Sequence, residues 1–460
     1  MEAVRILLIS TYELGRQPFG LASPAAWLRA EGHEVALADV SRVPLPAQAV
    51  EQADLIAFFL PMHTATRLLP RMVEKVRALN TEAHLCAYGL YAPLNQEMLR
   101  RAGVATIIGG EFEEPLVELA QRLVGQSSAP EVGEASWPVN RSGPPLISLA
   151  RQRFLTPDRR GLPPLEAYAH LAVNGGVRLV GYTEASRGCK HLCRHCPVVP
   201  VYRGRFRIVQ RDIVLEDIRA QVAAGAQHIT FGDPDFLNGP GHAMPLVESL
   251  HREWPALTYD VTIKVEHLLQ HRGLLHDLKA TGCVLITTAV ESFDDDVLEK
   301  LTKGHTSAGF REALALTRFI GLPLSPTFIP FTPWTTRDSY RDFLKDLVEL
   351  DLIEQTAPVQ LAIRLLIPEG SLLLDLPEIR RIAQGFDAGA LCYPWCSPDP
   401  RLDDLQASIL ELVRREEQRG TPRLEIFRKI WELADCGPWV WETPRVSRAT
   451  IPYLTEPWYC

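Results

Sequence analysis

The stretch EASRGCKHLCRHCPVVPVYRGRFR, residues 184–207, sets three cysteines within eight positions: Cys189, Cys193 and Cys196. Two histidines and several arginines lie among and just after them. Three thiolates are one ligand short of a tetrahedral metal site. Zinc would complete its shell with His191 or His195 and close the site. An iron–sulfur cluster would take the thiolates on three irons and leave the fourth open. The order Cys-x-x-x-Cys-x-x-Cys, without a second cysteine pair, departs from the spacing of zinc ribbons and fingers and favours the cluster.

The flanking sequence places this loop in a fold. From Val177 onward apolar strand patterns alternate with helical ones: VRLVGYTEA (177–185), HITFGD (228–233), LTYDVTIK (257–264), VLITTAVE (284–291), LPLSPTFI (322–329) and VQLAIRLL (359–366). Six strand–helix units predict a curved, incomplete α/β barrel, a fold whose chemistry sits in the loops after the strands. The cysteine loop directly follows the first of them. Upstream, residues 4–124 hold five more strand patterns, from VRILLIS (4–10) to ATIIGG (105–110), each followed by a helical one. They predict an open, doubly wound, Rossmann-like parallel sheet with ligands at the C-terminal strand ends. The turn after the first strand, TYELGRQPFG (11–20), lacks the dinucleotide glycine pattern, and no phosphate-cradling Gly-Lys-Ser/Thr loop occurs. The expected organisation is therefore a first domain over 1–125, a proline-rich linker over 126–175, the partial barrel over 176–385 and a mainly helical region over 386–460 with an aromatic, cysteine-bearing tail.

Bulk properties narrow the function. A net charge of −8 argues against nucleic-acid binding by bulk electrostatics. The first residues, MEAVRILLIS, lack the length and cleavage site of a signal peptide, and no apolar run would span a bilayer. A cytoplasmic protein with neither nucleic-acid nor membrane partners is expected. In that compartment nine cysteines suggest metal or redox chemistry where they cluster. Cys86 and Cys283, alone in apolar strands, read as buried structural thiols.

The triple-cysteine loop after the first strand of a partial six-stranded barrel resembles the radical S-adenosylmethionine (radical SAM) superfamily. The resemblance implies a 4Fe-4S cluster on Cys189, Cys193 and Cys196, whose open iron is chelated by the amino and carboxylate groups of S-adenosyl-L-methionine. An electron from the cluster then cleaves that cofactor to methionine and a 5′-deoxyadenosyl radical. It implies further that FGDPDF (231–236) meets the methionyl amine, with Gly232 allowing close approach and Asp233 or Asp235 accepting hydrogen bonds. Lys264 and Glu266 would meet the methionyl carboxylate and the ribose, or form an ion pair of their own. The segment AVESFDDDVLEKLTKGHT (289–306) resembles the cobalamin-dependent members, which would set Glu291 and Ser292 at the cofactor's ribose and carboxylate; Ser292 is also placed to cap the next helix. Pro330, Pro333 and Trp334 would line a substrate pocket or shape the loop.

The Rossmann-like first domain resembles the cobalamin-binding domain of the same subfamily, with Gly109 and Gly110 approaching the nucleotide tail. The Asp-x-His-x-x-Gly signature that supplies an axial histidine is absent, so Leu14 or Arg16 would lie below the cobalt. With both cofactors the family's commonest reaction is methyl transfer, here to a small-molecule substrate, with an external electron donor of flavodoxin or ferredoxin type. Two alternatives stand beside it: a cobalamin-independent radical SAM enzyme using a C-terminal thiol or selenol, and a non-enzymatic iron–sulfur or zinc redox sensor. Cys392, Cys396 and Cys436 are spaced irregularly for a second cluster. The ending EPWYC resembles a radical SAM group named for a terminal Cys-Sec-Ala-Glu-Pro sequence. That resemblance implies a selenocysteine codon after Cys460 and a catalytic thiol–selenol pair.

Overall fold

A computed structural model describes residues 3–126, 143–173, 175–440 and 452–455. Its first sheet is built from β1 (Arg5–Ser10), β2 (Glu34–Asp39), β3 (Leu55–Phe59), β4 (His84–Tyr88), β5 (Thr106–Gly110) and β6 (Leu146–Ser148). All neighbours are parallel, in the order β2-β1-β3-β4-β5-β6. The strands are apolar on both faces because both are covered. Ile6 and Leu8 pack one way, with Leu21, Leu28 and Leu116 of the helices Phe19–Ala30 and Glu113–Gln126. Leu7 and Ile9 pack the other way, with Leu69 and Val73 of the helix His63–Leu79. The chain steps from β1 out to β2 and back past β1 to β3, which opens a crevice at the C-terminal ends of β1 and β3.

The proline-rich connection is less a linker than a stitch. Its β6 extends the first sheet beside β5, and its β7 (His170–Val173) joins the second sheet. Between them Asp158 pairs with Arg29 of the first sheet's helix, and Arg159 grips Asp217 of the barrel.

The second sheet curls as a half-barrel in the order β14-β13-β12-β11-β8-β7-β15. β8 (Gly176–Thr183) leads into a short hairpin of β9 (Ser186–Gly188) and β10 (Phe206–Ile208) that frames the cysteine loop. β11 (His228–Phe231), β12 (Thr258–Thr262), β13 (Cys283–Glu291) and β14 (Leu324–Phe328) continue in parallel, while β7 and β15 (Tyr453–Leu454) add antiparallel at the far edge. The sixth barrel strand expected at 359–366 is not one. Pro358 opens a 3-10 turn, Pro358–Leu361, and Arg364 keeps a single bridge to Phe331. The Gln360 side chain explains the loss: its carbonyl accepts the Phe328 N–H at 3.0 Å, where a strand's backbone carbonyl would otherwise sit. The helices Pro400–Gln418 and Arg423–Leu433 close the barrel core with Ile409, Val413, Ile426 and Ile430.

Candidate active site

The cysteine loop lies at the C-terminal edge of β8 and is tied on several sides. At its centre the Arg194 N–H donates to Leu301 O at 3.0 Å, its guanidinium to Lys300 O at 2.8 Å, and its carbonyl accepts from Ser371 Oγ at 2.9 Å. At one end Asn238 Oδ1 accepts from the Lys190 N–H at 3.3 Å and stands 3.8 Å from Cys189 Sγ. None of the three thiols is in a disulfide. Burial pushes the Cys196 thiol up to about 12 and raises that of Cys189, so thiolates here require a cation as counter-charge.

A single zinc would hold its sulfurs about 3.8 Å apart. Among the described residues the group of ligand atoms within 4.8 Å of one another is Cys189, His191 and Asp235, which uses one sulfur of the three. His195 has Nε2 3.1 Å from Glu291 Oε1, while its Nδ1 is buried without a partner. Three free thiols in one loop, not gathered into that group, suit a cuboidal cluster better than a single ion.

Two buried polar groups flank the loop. In the first, Glu291 ends β13 with a left-handed backbone (φ 68°) and faces both His195 and Lys303 Nζ, each at 3.1 Å. Lys303 is 3% exposed. Its charge and the His195 hydrogen bond outweigh the cost of burial and hold the Glu291 carboxyl at about 2; Glu291 and the neighbouring Cys193 and Cys196 in turn raise Lys303. Beside them burial, reinforced by Lys303, lowers His305 to about 4 and keeps its imidazole neutral.

In the second group Asp235, fully buried, has Oδ2 2.7 Å from His267 Nδ1, but neither atom makes a well-directed hydrogen bond. The Nε2 atoms of His191 and His267 are 3.3 Å apart, and Glu266 lies 3.6 Å from His191 and 3.2 Å from the Lys264 ammonium. An under-satisfied carboxylate between imidazoles fits an ammonium ligand. Asp235, Lys264, Glu266 and Glu291 thus gather around the loop at the ends of β11, β12 and β13, where a chelating amino acid would lie.

Other residues singled out from the sequence serve the protein itself. A Cβ at Gly232 would stand 1.9 Å from Tyr182 Oη, so this glycine makes room for a tyrosine. Asp233 accepts from the Ala185 N–H at 2.9 Å and from Ser186 Oγ, tying the end of β11 to that of β8; burial raises its carboxyl to about 7. Ser292 does not cap the following helix. Asp294 does, accepting from the N–H groups of Asp296 and Val297, while Ser292 Oγ only accepts from Asp294 N.

The residues proposed for cobalamin are also engaged within the chain. A Cβ at Gly109 would meet Pro93 at 2.6 Å, and one at Gly110 (φ 73°) would meet Ser148 O at 2.0 Å. Leu14 is buried in the first domain's core, and Arg16 stacks on Tyr182 of β8, 4.8 Å from the ring centroid. Each of these four residues is packed against other parts of the chain. Cys460 lies outside the described residues.

Nothing in the residue pattern points to the contact that joins the two sheets. Arg187, two residues before Cys189, is 5% exposed and binds Glu113 at 2.7 and 2.9 Å, Glu111 at 3.2 Å and Glu184 at 2.7 Å. Burial raises Glu111 to about 7, so one of these carboxyls is readily protonated at neutral pH. The cysteine loop is therefore anchored directly on the end of β5. Lys303, by contrast, lies within the quoted segment 289–306, but its spacing shows only a polar residue after a helix.

Residues 183–347 match the model of the Radical SAM superfamily. The chain carries a radical SAM domain, and its fold over most of its length is that of cobalamin-dependent radical SAM enzymes. The cobalamin-dependent S-adenosylmethionine radical enzyme OxsB superposes with a TM-score of 0.67 at 16% identity, over 88% of this chain and 66% of that one. TsrM, the radical S-adenosylmethionine methyltransferase from Kitasatospora setae with cobalamin and a [4Fe-4S] cluster bound, gives 0.59 at 16% identity, over 76% and 70%. In sequence the hopanoid C-3 methylase of Methylococcus capsulatus is 22% identical over 338 residues, 71% of this chain; the chain spans 64% of that protein's length. Among the described residues no helix is long and apolar enough to cross a membrane.

Proposed function

We propose that this chain is a radical SAM enzyme that uses a 4Fe-4S cluster on Cys189, Cys193 and Cys196 to act on a small molecule, by methylation with cobalamin held in the first domain. The observation that carries the radical reading is the loop itself: three free thiols, buried or half-buried, in one loop after the first parallel strand of the half-barrel, beside a polar group at the strand ends that lacks a full set of partners. When bound, the cluster would supply the electron that splits S-adenosyl-L-methionine into methionine and a 5′-deoxyadenosyl radical. Asp235 would hold the cofactor's ammonium, Lys264 its carboxylate, and Glu266 its ribose. Glu291 and Lys303 neutralise each other beside the sulfurs, and Arg194 ties the centre of the loop to Lys300, Leu301 and Ser371. Support for cobalamin is architectural and comes from the domain order shared with OxsB and TsrM.

A second reading, radical chemistry without cobalamin, is favoured by one observation: Arg187 joins the end of β5 directly to the barrel. Anaerobic reconstitution tests both. Four irons per chain, lost on substituting any loop cysteine, with 5′-deoxyadenosine formed from S-adenosyl-L-methionine under reduction, is the expected result. Cobalamin absorbance that survives gel filtration separates the first reading from the second. Zinc in place of iron, or an intact cluster that never yields deoxyadenosine, refutes both.

A further inference from the structure

Two arginines of the opening stretch, Arg203 and Arg205, have no part in the site described above. Lys190 and Leu192 lie between two of the cluster cysteines in sequence, and both are exposed, Leu192 at 49%. Against them leans the turn Arg203-Gly204-Arg205: a Cβ at Gly204 would sit 3.4 Å from Leu192 Cδ2 and 3.6 Å from Lys190 O. The turn is held by the Arg205 N–H to Tyr202 O at 2.9 Å and by the β9–β10 hairpin, so it is fixed to the loop. Arg203 and Arg205 are exposed and make no ion pair among the described residues. Lys190 donates to the Asn238 carbonyl and lies 5.4 Å from the Phe206 ring centroid, which directs its ammonium without neutralising it.

Uncompensated cations around an exposed leucine are unusual on a chain of net charge −8. They lie on the outer face of the one loop that holds the thiolates. We propose that Lys190, Leu192, Arg203 and Arg205 form the docking surface for an acidic one-electron carrier protein, which reduces the cluster through this loop. The inference rests on the cluster reading given above and adds the partner's entry point. The transfer is a single electron: the carrier is oxidised by one electron, the cluster is reduced by one, and no bond is made or broken. Charge complementarity favours an acidic partner over a neutral one. Leu192 supplies the apolar centre that a transient interface needs, inside a charged rim that speeds encounter.

The test uses the reconstituted full chain and reduced flavodoxin as the probe, with cluster bleaching followed by stopped flow. The double variant Arg203→Glu/Arg205→Glu turns the rim from positive to negative while leaving every thiol in place. The expected result is a bimolecular rate with flavodoxin at least tenfold lower at low ionic strength, and a weaker dependence on salt than in the wild type. Reduction by photoreduced deazaflavin, a small uncharged reagent, should be unchanged, as should iron content. A variant reduced by flavodoxin within twofold of the wild-type rate, or a wild-type rate independent of salt, overturns the proposal. A wild-type chain that binds no iron would instead refute the cluster reading, before any carrier is added.

Discussion

Replacing Lys303 with methionine tests the electrostatics beside the cysteine loop. The side chain is nearly isosteric and keeps its packing, so the change removes charge and little else. Glu291 titrates at about 2 in the folded protein against an ordinary value of 4.5, with Lys303 the largest stabilising influence on its charge. At about 1.4 kcal/mol per pH unit, that difference represents roughly 3 kcal/mol of stability. Glu291 is 6% exposed, so solvent screening removes little of it. Loss of one partner from a buried pair costs about 3–5 kcal/mol, a consistent figure. The sign with pH follows from the depressed carboxyl. Its contribution is complete above about 4.5 and disappears as pH falls through about 2. Urea unfolding of the metal-free protein should therefore show Lys303→Met destabilised by about 3 kcal/mol at pH 7, with the gap to wild type narrowing by pH 3.5. The double variant Lys303→Met/Glu291→Leu should recover most of the loss, because no buried charge is then left alone. A loss below about 0.5 kcal/mol at pH 7, or one that does not change with pH, would refute the reasoning.

Arg187→Met leaves Glu113 buried without its cation; it should cost about 3–5 kcal/mol and speed proteolysis within residues 143–165 as the sheets part, whereas a variant that melts with the wild type contradicts a joining role. Gly110→Ala forces a side chain into a left-handed backbone against Ser148 O, and loss of about 1–3 kcal/mol is expected by thermal unfolding. Cys193→Ala should abolish the visible iron–sulfur absorbance after reconstitution while leaving far-UV circular dichroism intact. Asp235→Asn, which keeps the shape but not the charge, should weaken S-adenosyl-L-methionine binding at least tenfold in equilibrium dialysis without changing iron content.

Much of the fold was legible because its physical causes are local. Apolar runs such as RILLIS and LIAFF admit few alternatives to buried parallel strands, and three cysteines in one loop are adjacent whatever the rest of the chain does. The expected sixth barrel strand failed for a nonlocal reason. VQLAIRLL has a strand's composition, but Pro358 and the Gln360 side chain occupy the edge it would have joined. The glycines pose the same difficulty. Sequence shows that Gly109, Gly110 and Gly232 lack a side chain, and only the packed structure shows that Pro93, Ser148 and Tyr182 need the room.

By itself, then, the sequence determined the strand–helix rhythm, the two-sheet plan and the clustered cysteines of one loop, since periodicity and short spacing are properties of neighbouring residues. The tertiary structure decided which charges meet. Glu291 faces Lys303 and His195, and Arg187 faces Glu111 and Glu113, across separations of 12 to 96 residues. Such pairings follow from how the sheets curl and dock, because burial makes each charge depend on whatever partner the fold brings within reach.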